Sequence, residues 1–389
     1  MVDPAPKTGN EIAVHVITGF LGSGKTTLLQ QLLDSPDLGD TAVLINEFGE
    51  IGLDHLLLKQ VDEDIVMLES GCVCCTIRGD LGVAIRDLLA RRDSGVIPPF
   101  RRLVIETTGL ADPVPILYTL MTEPGVSERC ILDSVITTVD AVNGSLHLAR
   151  QPESTKQAAV ADRLVITKTD IANPSETADL EARLTRLNPS ARILQAPFFE
   201  FDAEALLAGS TYDPGAKGAD VRHWLDEEAY RDGGAHDHHH AADVNRHDEH
   251  IGSFCLTFDE PIDWTAFGVW LTMLLHRRGE DVLRVKGLLN VDDALAGPVV
   301  VHGVQHVIHP PAHLDAWPDD DRRSRLVFIT RDIGREEIEA SLSTFNALAD
   351  ADTGTGSPEA SYQRPRTSSA GRSIGGRPVR RPGAPAWMK

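Results

Sequence analysis

The chain has 389 residues, is 42% hydrophobic and carries a formal net charge of −21. That length accommodates two domains, and no uninterrupted apolar stretch reaches the roughly 20 residues a membrane span needs. The acidic excess argues against a nucleic-acid partner for the main body, because phosphate neutralisation needs a basic face; Met1–Asn10 is polar and lacks a secretory-signal layout, which points to the cytoplasm.

The first predicted strand, Ile12–Thr18, runs into Gly19-Phe20-Leu21-Gly22-Ser23-Gly24-Lys25-Thr26, a complete G-x-x-x-x-G-K-S/T phosphate loop, and a helical run leaves it at Thr26–Leu33. Gly19, Gly22 and Gly24 let the backbone curl so that N–H groups, including those near Ser23 and Thr27, point at phosphates, aided by the helix N-terminus. Lys25 reaches the β/γ-phosphates and the Thr26 hydroxyl ligates Mg²⁺. The next strands are Ala42–Asn46 and Ile65–Leu68, followed by a helix at Leu81–Arg91. Leu103–Glu106 then ends in an acid placed to sit beside the metal, with the amide of Gly109 placed to sense a γ-phosphate. Ser134–Val139 and Leu164–Thr167 continue the strand series, with a helix at Glu176–Leu187 and a last strand at Ile193–Ala196. Continuous apolar strands separated by helices read as a P-loop NTPase domain of α/β class, with a mostly parallel sheet flanked by helices.

After Leu164–Thr167 comes Thr167-Lys168-Thr169-Asp170, close to the N-K-x-D element that selects guanine. Asp170 can accept two hydrogen bonds from guanine N1–H and its exocyclic amine, a pair of donors that adenine lacks. The Lys168 stem lies over the base plane, and Thr167 stands where asparagine is usual. The expected nucleotide is therefore GTP with Mg²⁺. The last base-contacting loop is placed near Ala196.

Cys72, Cys74 and Cys75 fall within four residues. Thiolates this close cannot bridge one another without strain, but they can converge on Zn²⁺ and leave one tetrahedral position for an outside ligand. Co²⁺ shares those ligands and that geometry. A second metal-binding candidate is the segment with His236, His238, His239, His240, His247 and His250, interleaved with acids and without strict metal selectivity. His302, His306 and His309, in strand-like sequence, read as structural.

Residues 11–210 thus form the expected P-loop GTPase domain and 211–250 a His/Asp-rich flexible linker. Residues 251–350 form a small C-terminal α+β domain: strands at Phe254–Phe258, Val282–Leu289, Val299–Ile308 and Leu326–Thr330, helices at Trp264–Leu275 and from Arg335. Residues 351–389 form a basic, disordered tail, with seven Lys/Arg against two acids beyond Ala351.

The Gly19–Leu29 stretch, Asn46–Glu50, the G-C-x-C-C run, Glu106–Gly109 and Thr167–Asp170, in this order, resemble the CobW-type metallochaperone GTPases, relatives of the nickel-insertion GTPases of urease and hydrogenase maturation. The resemblance covers roughly residues 11–348. It implies that Mg²⁺–GTP orders the Asn46–Glu50 segment and the cysteines, and that hydrolysis releases the metal to a client metalloprotein. Glu47, Glu50 and Glu106 are candidates for the base that activates water. No motif fixes the client or the oligomeric state. Two other readings stay open: a metal buffer or sensor in which nucleotide merely stabilises the fold, and a P-loop phosphotransferase with structural zinc. Equal metal affinity in both nucleotide states would favour the first, substrate-dependent phosphate transfer the second.

Overall fold

Burial on both faces is what the strands around the phosphate loop share, and it explains why they read as continuous apolar runs rather than alternating ones. The computed structural model describes residues 11–35, 38–46, 58–62, 65–68, 73–76, 80–197, 203–207, 251–291, 297–314, 316–318 and 320–353. Its first sheet contains β1 (Ile12–Gly19), β2 (Thr41–Asn46), β3 (Leu58–Asp62), β4 (Ile65–Leu68), β5 (Val73–Thr76), β6 (Arg102–Thr107), β7 (Cys130–Asp140), β8 (Arg163–Thr167) and β9 (Arg192–Ala196). The spatial order is β3-β4-β5-β2-β6-β1-β7-β8-β9. Neighbours from β5 through β9 run parallel, while β3–β4 and β4–β5 are antiparallel.

The helices between them are α1 (Lys25–Asp34), α2 (Leu81–Asp93), α3 (Val114–Thr122), α4 (Gly144–Arg150), α5 (Pro152–Ala159), α6 (Pro174–Leu187) and α7 (Ala203–Leu207). On one face of the sheet, Ile12, Val14 and Val16 pack with Ile85 and Leu89 of α2 and Leu117 and Leu120 of α3. On the other, Ile17, Val43 and Val104 pack with Leu28 and Leu32 of α1. Each such fully buried aliphatic side chain contributes about 1.5–3 kcal/mol. Local signals set the helix starts: Asp80 accepts from the amides of Gly82 and Val83, and Asn173 caps α6 just before Pro174.

The second sheet is antiparallel, in the order β10 (Ile251–Phe258), β15 (Ser324–Arg331), β11 (Val282–Leu289), β12 (Val299–Val304), β13 (Val307–Ile308), with β14 (Ala312–His313) against β12. Its core is built with α8 (Trp264–Arg278) and α9 (Arg335–Thr353): Phe267, Trp270 and Leu271 of α8 pack on Phe254 and Phe328, with Ile338 and Leu342. On β11, Arg284 and Lys286 instead meet Asp162, at the foot of β8 in the first sheet.

Three local readings change. Val299–Ile308 is a hairpin rather than one strand, because Gln305 takes a left-handed φ of 51° and turns the chain back on itself. Cys74 and Cys75 lie within β5, a further strand between Ile65–Leu68 and the helix at Leu81, which returns antiparallel to β4. The last helix runs through Thr353, past the expected start of the tail. No helix among the described residues is long and apolar enough to cross a membrane.

Candidate functional site

The phosphate loop is shaped by left-handed glycines: φ is 71° at Gly22 and 90° at Gly24, which any side chain would strain. Gly19, with a φ of 139°, is required for a second reason as well. A Cβ there would lie 2.4 Å from the carbonyl oxygen of Thr138 on β7. Ser23 is buried and its hydroxyl meets that of Thr138 at 2.6 Å, so β7 supports the loop from below. Helix α1 begins at Lys25 with no side-chain cap and no acid in its first turn, so its partial positive charge at the N-terminus faces the loop uncompensated by a carboxylate of its own first turn. Lys25 Nζ reaches across the loop to the carbonyl of Phe20 at 3.2 Å. Thr27 is exposed in the first turn.

Thr26 donates its hydroxyl to Oε1 of Glu106 at 2.8 Å, although the two residues are 80 positions apart. The parallel pairing of β1 with β6 brings them together. A hydroxyl and a carboxylate converging at the loop are hard oxygen donors suited to Mg²⁺, which keeps most of its waters and takes few protein ligands. The donor set therefore fits that ion. Gly109, beyond β6, is buried against the phosphate loop, and a Cβ on it would sit 2.7 Å from the backbone nitrogen of Leu21.

The T-K-x-D turn ends β8, two strands from β1. Thr167 is fully buried and its hydroxyl donates to the carbonyl of Ser23 at 2.8 Å, so threonine ties this turn to the phosphate loop. Lys168 has a φ of 59°, and its ammonium donates to the carbonyl of Gly22 at 2.7 Å and to Asp140 Oδ2 at 2.9 Å. Asp170 is exposed at the turn.

Asp140 carries no sequence signal, since an acid at a strand end is common; only the pairing of β7 with β8 sets it under Lys168. Burial pushes its pKa up, but Asn143, Lys168 and the amide of Val142 donate to it and together hold it below the usual carboxylate value. Gln157 of α5 likewise carries no sequence signal. It is completely buried and its amide nitrogen donates to the carbonyls of Ala111 at 2.9 Å and Gly109 at 3.3 Å.

Of the metal candidates, Cys74 and Cys75 pair in register with Val43 and Leu44 of β2. Since Ile45 of β2 pairs with both Thr76 and Glu106, the β5 row of Thr76 lies two strands from Glu106, roughly 10 Å at ordinary strand spacing. Cys72, Glu47, Glu50, His236, His238, His239 and His240 lie outside the described residues, as do residues 198–202 beyond the strand end at Ala196. Among the described residues, no three His, Cys, Asp or Glu side chains are grouped to hold a metal. His302 and His309 are buried in the second lobe.

Fold and site together are those of a P-loop GTPase. Residues 13–195 match the CobW/HypB/UreG nucleotide-binding domain, and residues 251–346 match the cobalamin synthesis protein cobW C-terminal domain. The chain is 34% identical over 335 residues to the zinc chaperone YjiA of Escherichia coli, covering 86% of this chain and 98% of that one. It is 29% identical over 375 residues to the zinc chaperone CobW of Pseudomonas aeruginosa, covering 87% and 92%. The crystal structure of the Zn(II)-bound YjiA GTPase from E. coli superposes with a TM-score of 0.65 at 33% identity, covering 86% of this chain and 99% of that one. The chain belongs to the CobW/HypB/UreG family.

Proposed function

We propose that this chain hydrolyses GTP and uses the nucleotide cycle to deliver a transition metal, with Zn²⁺ the leading candidate and Co²⁺ next, to a client metalloprotein in the cytoplasm. The observation that carries the reading is the docking of the T-K-x-D turn on the phosphate loop, through Thr167 to Ser23 and Lys168 to Gly22. It occurs in a chain that aligns over 86% of its length with a protein named a zinc chaperone.

The nucleotide's phosphates lie on the amides from Gly22 to Thr26, and Lys25 exchanges the carbonyl of Phe20 for phosphate oxygens. Thr26 and Glu106 would hold Mg²⁺, which when bound supplies positive charge against the β- and γ-phosphates. Asp170 takes both guanine donors, and Lys168, anchored on Asp140, keeps the base turn at a fixed distance from the phosphate loop. The amide of Gly109 donates to the γ-phosphate, so the loop that begins there loses a contact when the bond to that phosphate is cleaved.

Cys72, Cys74 and Cys75 are the metal site in this reading, with the His236–His240 segment as an accessory. The chain from β2 to β5 connects the two chemistries, since β2 pairs both with β6, which carries Glu106, and with β5, which carries two of the cysteines. Coupling then requires that metal affinity differ between nucleotide states. The test is a competitive titration of Zn²⁺ and Co²⁺ in Mg²⁺ with GDP and with a non-hydrolysable GTP analogue, beside a variant with Cys72, Cys74 and Cys75 changed to Ser. A cysteine-dependent gain in affinity with the analogue supports delivery. Equal affinity in both states demotes the thiolates to buffering.

A further inference from the structure

Helix α5 has two engagements that neither phosphate binding nor base selection uses. Along its length it holds the loop after β6. Gln157 donates to the carbonyls of Gly109 and Ala111, and Lys156 pairs with Asp112 at 3.0 Å. Two acceptor carbonyls fix which end of the Gln157 amide is nitrogen. Asp112 in turn accepts from the amide of Val114 and so joins the loop to the start of α3.

At its C-terminal end the same helix is plugged into the second sheet. The carbonyl of Val160, immediately after α5, accepts from Arg284 of β11. Two residues on, Asp162 pairs with Arg284 and, at 3.0 Å, with Lys286, while its other oxygen accepts from the amide of Val135 at 2.9 Å. All three charged side chains are nearly inaccessible to solvent. Ala159 packs against Leu283 and Ile329 of the second sheet. Val304 at the tip of β12 joins the core beneath α2 and α3, so the second lobe also touches the helix that follows the loop.

A helix of 8 residues is about 12 Å long and stiff on that scale. Gln157, its sixth residue, and Val160, just past its last, lie within about one helical turn of each other. Both are held by buried hydrogen bonds, and close-packed contacts of this kind move as a unit rather than deform. We propose that Gln157 is the positioning residue that holds the Gly109 loop for the γ-phosphate, and that α5 carries the state of that loop to Arg284 and the C-terminal sheet. The inference rests on the reading of the chain as a GTPase. Linkage makes it reciprocal: a change on β11, remote from the nucleotide, alters how strongly a γ-phosphate is preferred.

The test uses the full chain with Gln157→Met, Arg284→Met and the double variant. It measures affinity for GDP and for a non-hydrolysable GTP analogue, and kcat and KM for GTP. Gln157→Met keeps the side-chain length and removes the donor; Arg284→Met leaves Lys286 on Asp162. Each single change is expected to lower the analogue-to-GDP affinity ratio about ten-fold, equivalent to about 1.4 kcal/mol, with GDP affinity held within about two-fold. kcat falls more than KM rises. The double variant loses no more than the worse single one, because both act through one element. Where Arg284→Met does not fold, Arg284→Lys with Lys156→Met replaces it. Parallel loss of GDP and analogue affinity, additive effects, or an unchanged ratio in the β11 variant overturns the inference. Failure of the wild type to hydrolyse GTP overturns the functional reading first, and is seen before any variant is compared.

Discussion

Thr167 donates its hydroxyl to the carbonyl oxygen of Ser23 across 144 residues of sequence, at 2.8 Å and with the threonine fully buried. This hydroxyl, beside the Lys168 ammonium on Gly22, ties the Thr167–Asp170 turn to the phosphate loop where most GTPase turns of this type carry asparagine. Thr167→Val keeps the shape and leaves a carbonyl of the loop without its donor. The expected cost is about 1–3 kcal/mol of stability, together with roughly ten-fold weaker GDP binding. Thr167→Ser should restore both. Thermal denaturation and a fluorescent-GDP titration read them separately.

Lys168 is held between Gly22 and Asp140, and the negative charge of Asp140 is what keeps its ammonium there. Asp140→Asn retains the size and loses the charge, so guanine-nucleotide affinity should fall about ten-fold and its salt dependence should flatten. The Asp140 pKa is depressed in the folded protein. Its stabilisation is therefore complete above the carboxylate's unfolded value and is lost as pH falls through the lower, folded one. Nucleotide titrations at two ionic strengths check the variant.

Gly109 admits no side chain because Leu21 lies against it. Gly109→Ala places a methyl 2.7 Å from a backbone nitrogen, and the loop must withdraw from the phosphates. Affinity for a GTP analogue should drop about ten-fold or more while GDP affinity barely moves. Equal losses for the two nucleotides would show that the glycine serves folding and not γ-phosphate recognition.

Three buried histidines make stability depend on mild acid. Burial first, then the charges of Arg163 and Arg102, hold His15 down to about 3; it accepts or donates at Ser134, 2.8 Å away, and the carboxylate of Asp133 at 3.5 Å does not offset those effects. Burial also lowers His309 to about 4 and puts His302 well below its ordinary value. The unfolded chain protonates these rings below about pH 6.5 and the folded one does not, so stability is full above that value and falls with pH. His15 and His309 should each cost about 2 kcal/mol by pH 5, and His302 adds to the loss in the same direction. Urea unfolding at pH 7.5 and 5.0 measures the slope, and His15→Leu should remove its share.

Asp162 adds a second, more acidic step. Burial raises its pKa, but Arg284 and Lys286 outweigh burial and depress it. Its contribution is present above the unfolded carboxylate value and disappears below it. Asp162→Asn, which leaves two buried cations short of their anion, should destabilise the chain by about 3–5 kcal/mol, seen as a lower urea midpoint at pH 7.5.

How much of this was legible beforehand depends on how local each signal is. The phosphate loop and the apolar strands are written in consecutive residues, because glycine conformers and β-type burial act over a few positions. For the same reason the strand Val282–Leu289 carries its observed ends in its own residues. The hairpin at Gln305 was missed because nothing but its left-handed φ marks the turn. The strand containing Cys74 and Cys75 was missed because its partners, β2 and β4, decide it.

The sequence by itself determined a phosphate-loop strand–loop–helix, a T-K-x-D turn and a cluster of thiols. Only the tertiary structure decided that Thr26 meets Glu106, that Asp140 anchors Lys168, that Gln157 grips the Gly109 loop and that Asp162 receives two cations from another sheet. These partners are 28 to 124 residues apart. Their contacts have no local signature, since side chains that far apart meet only where strand order and register bring them together.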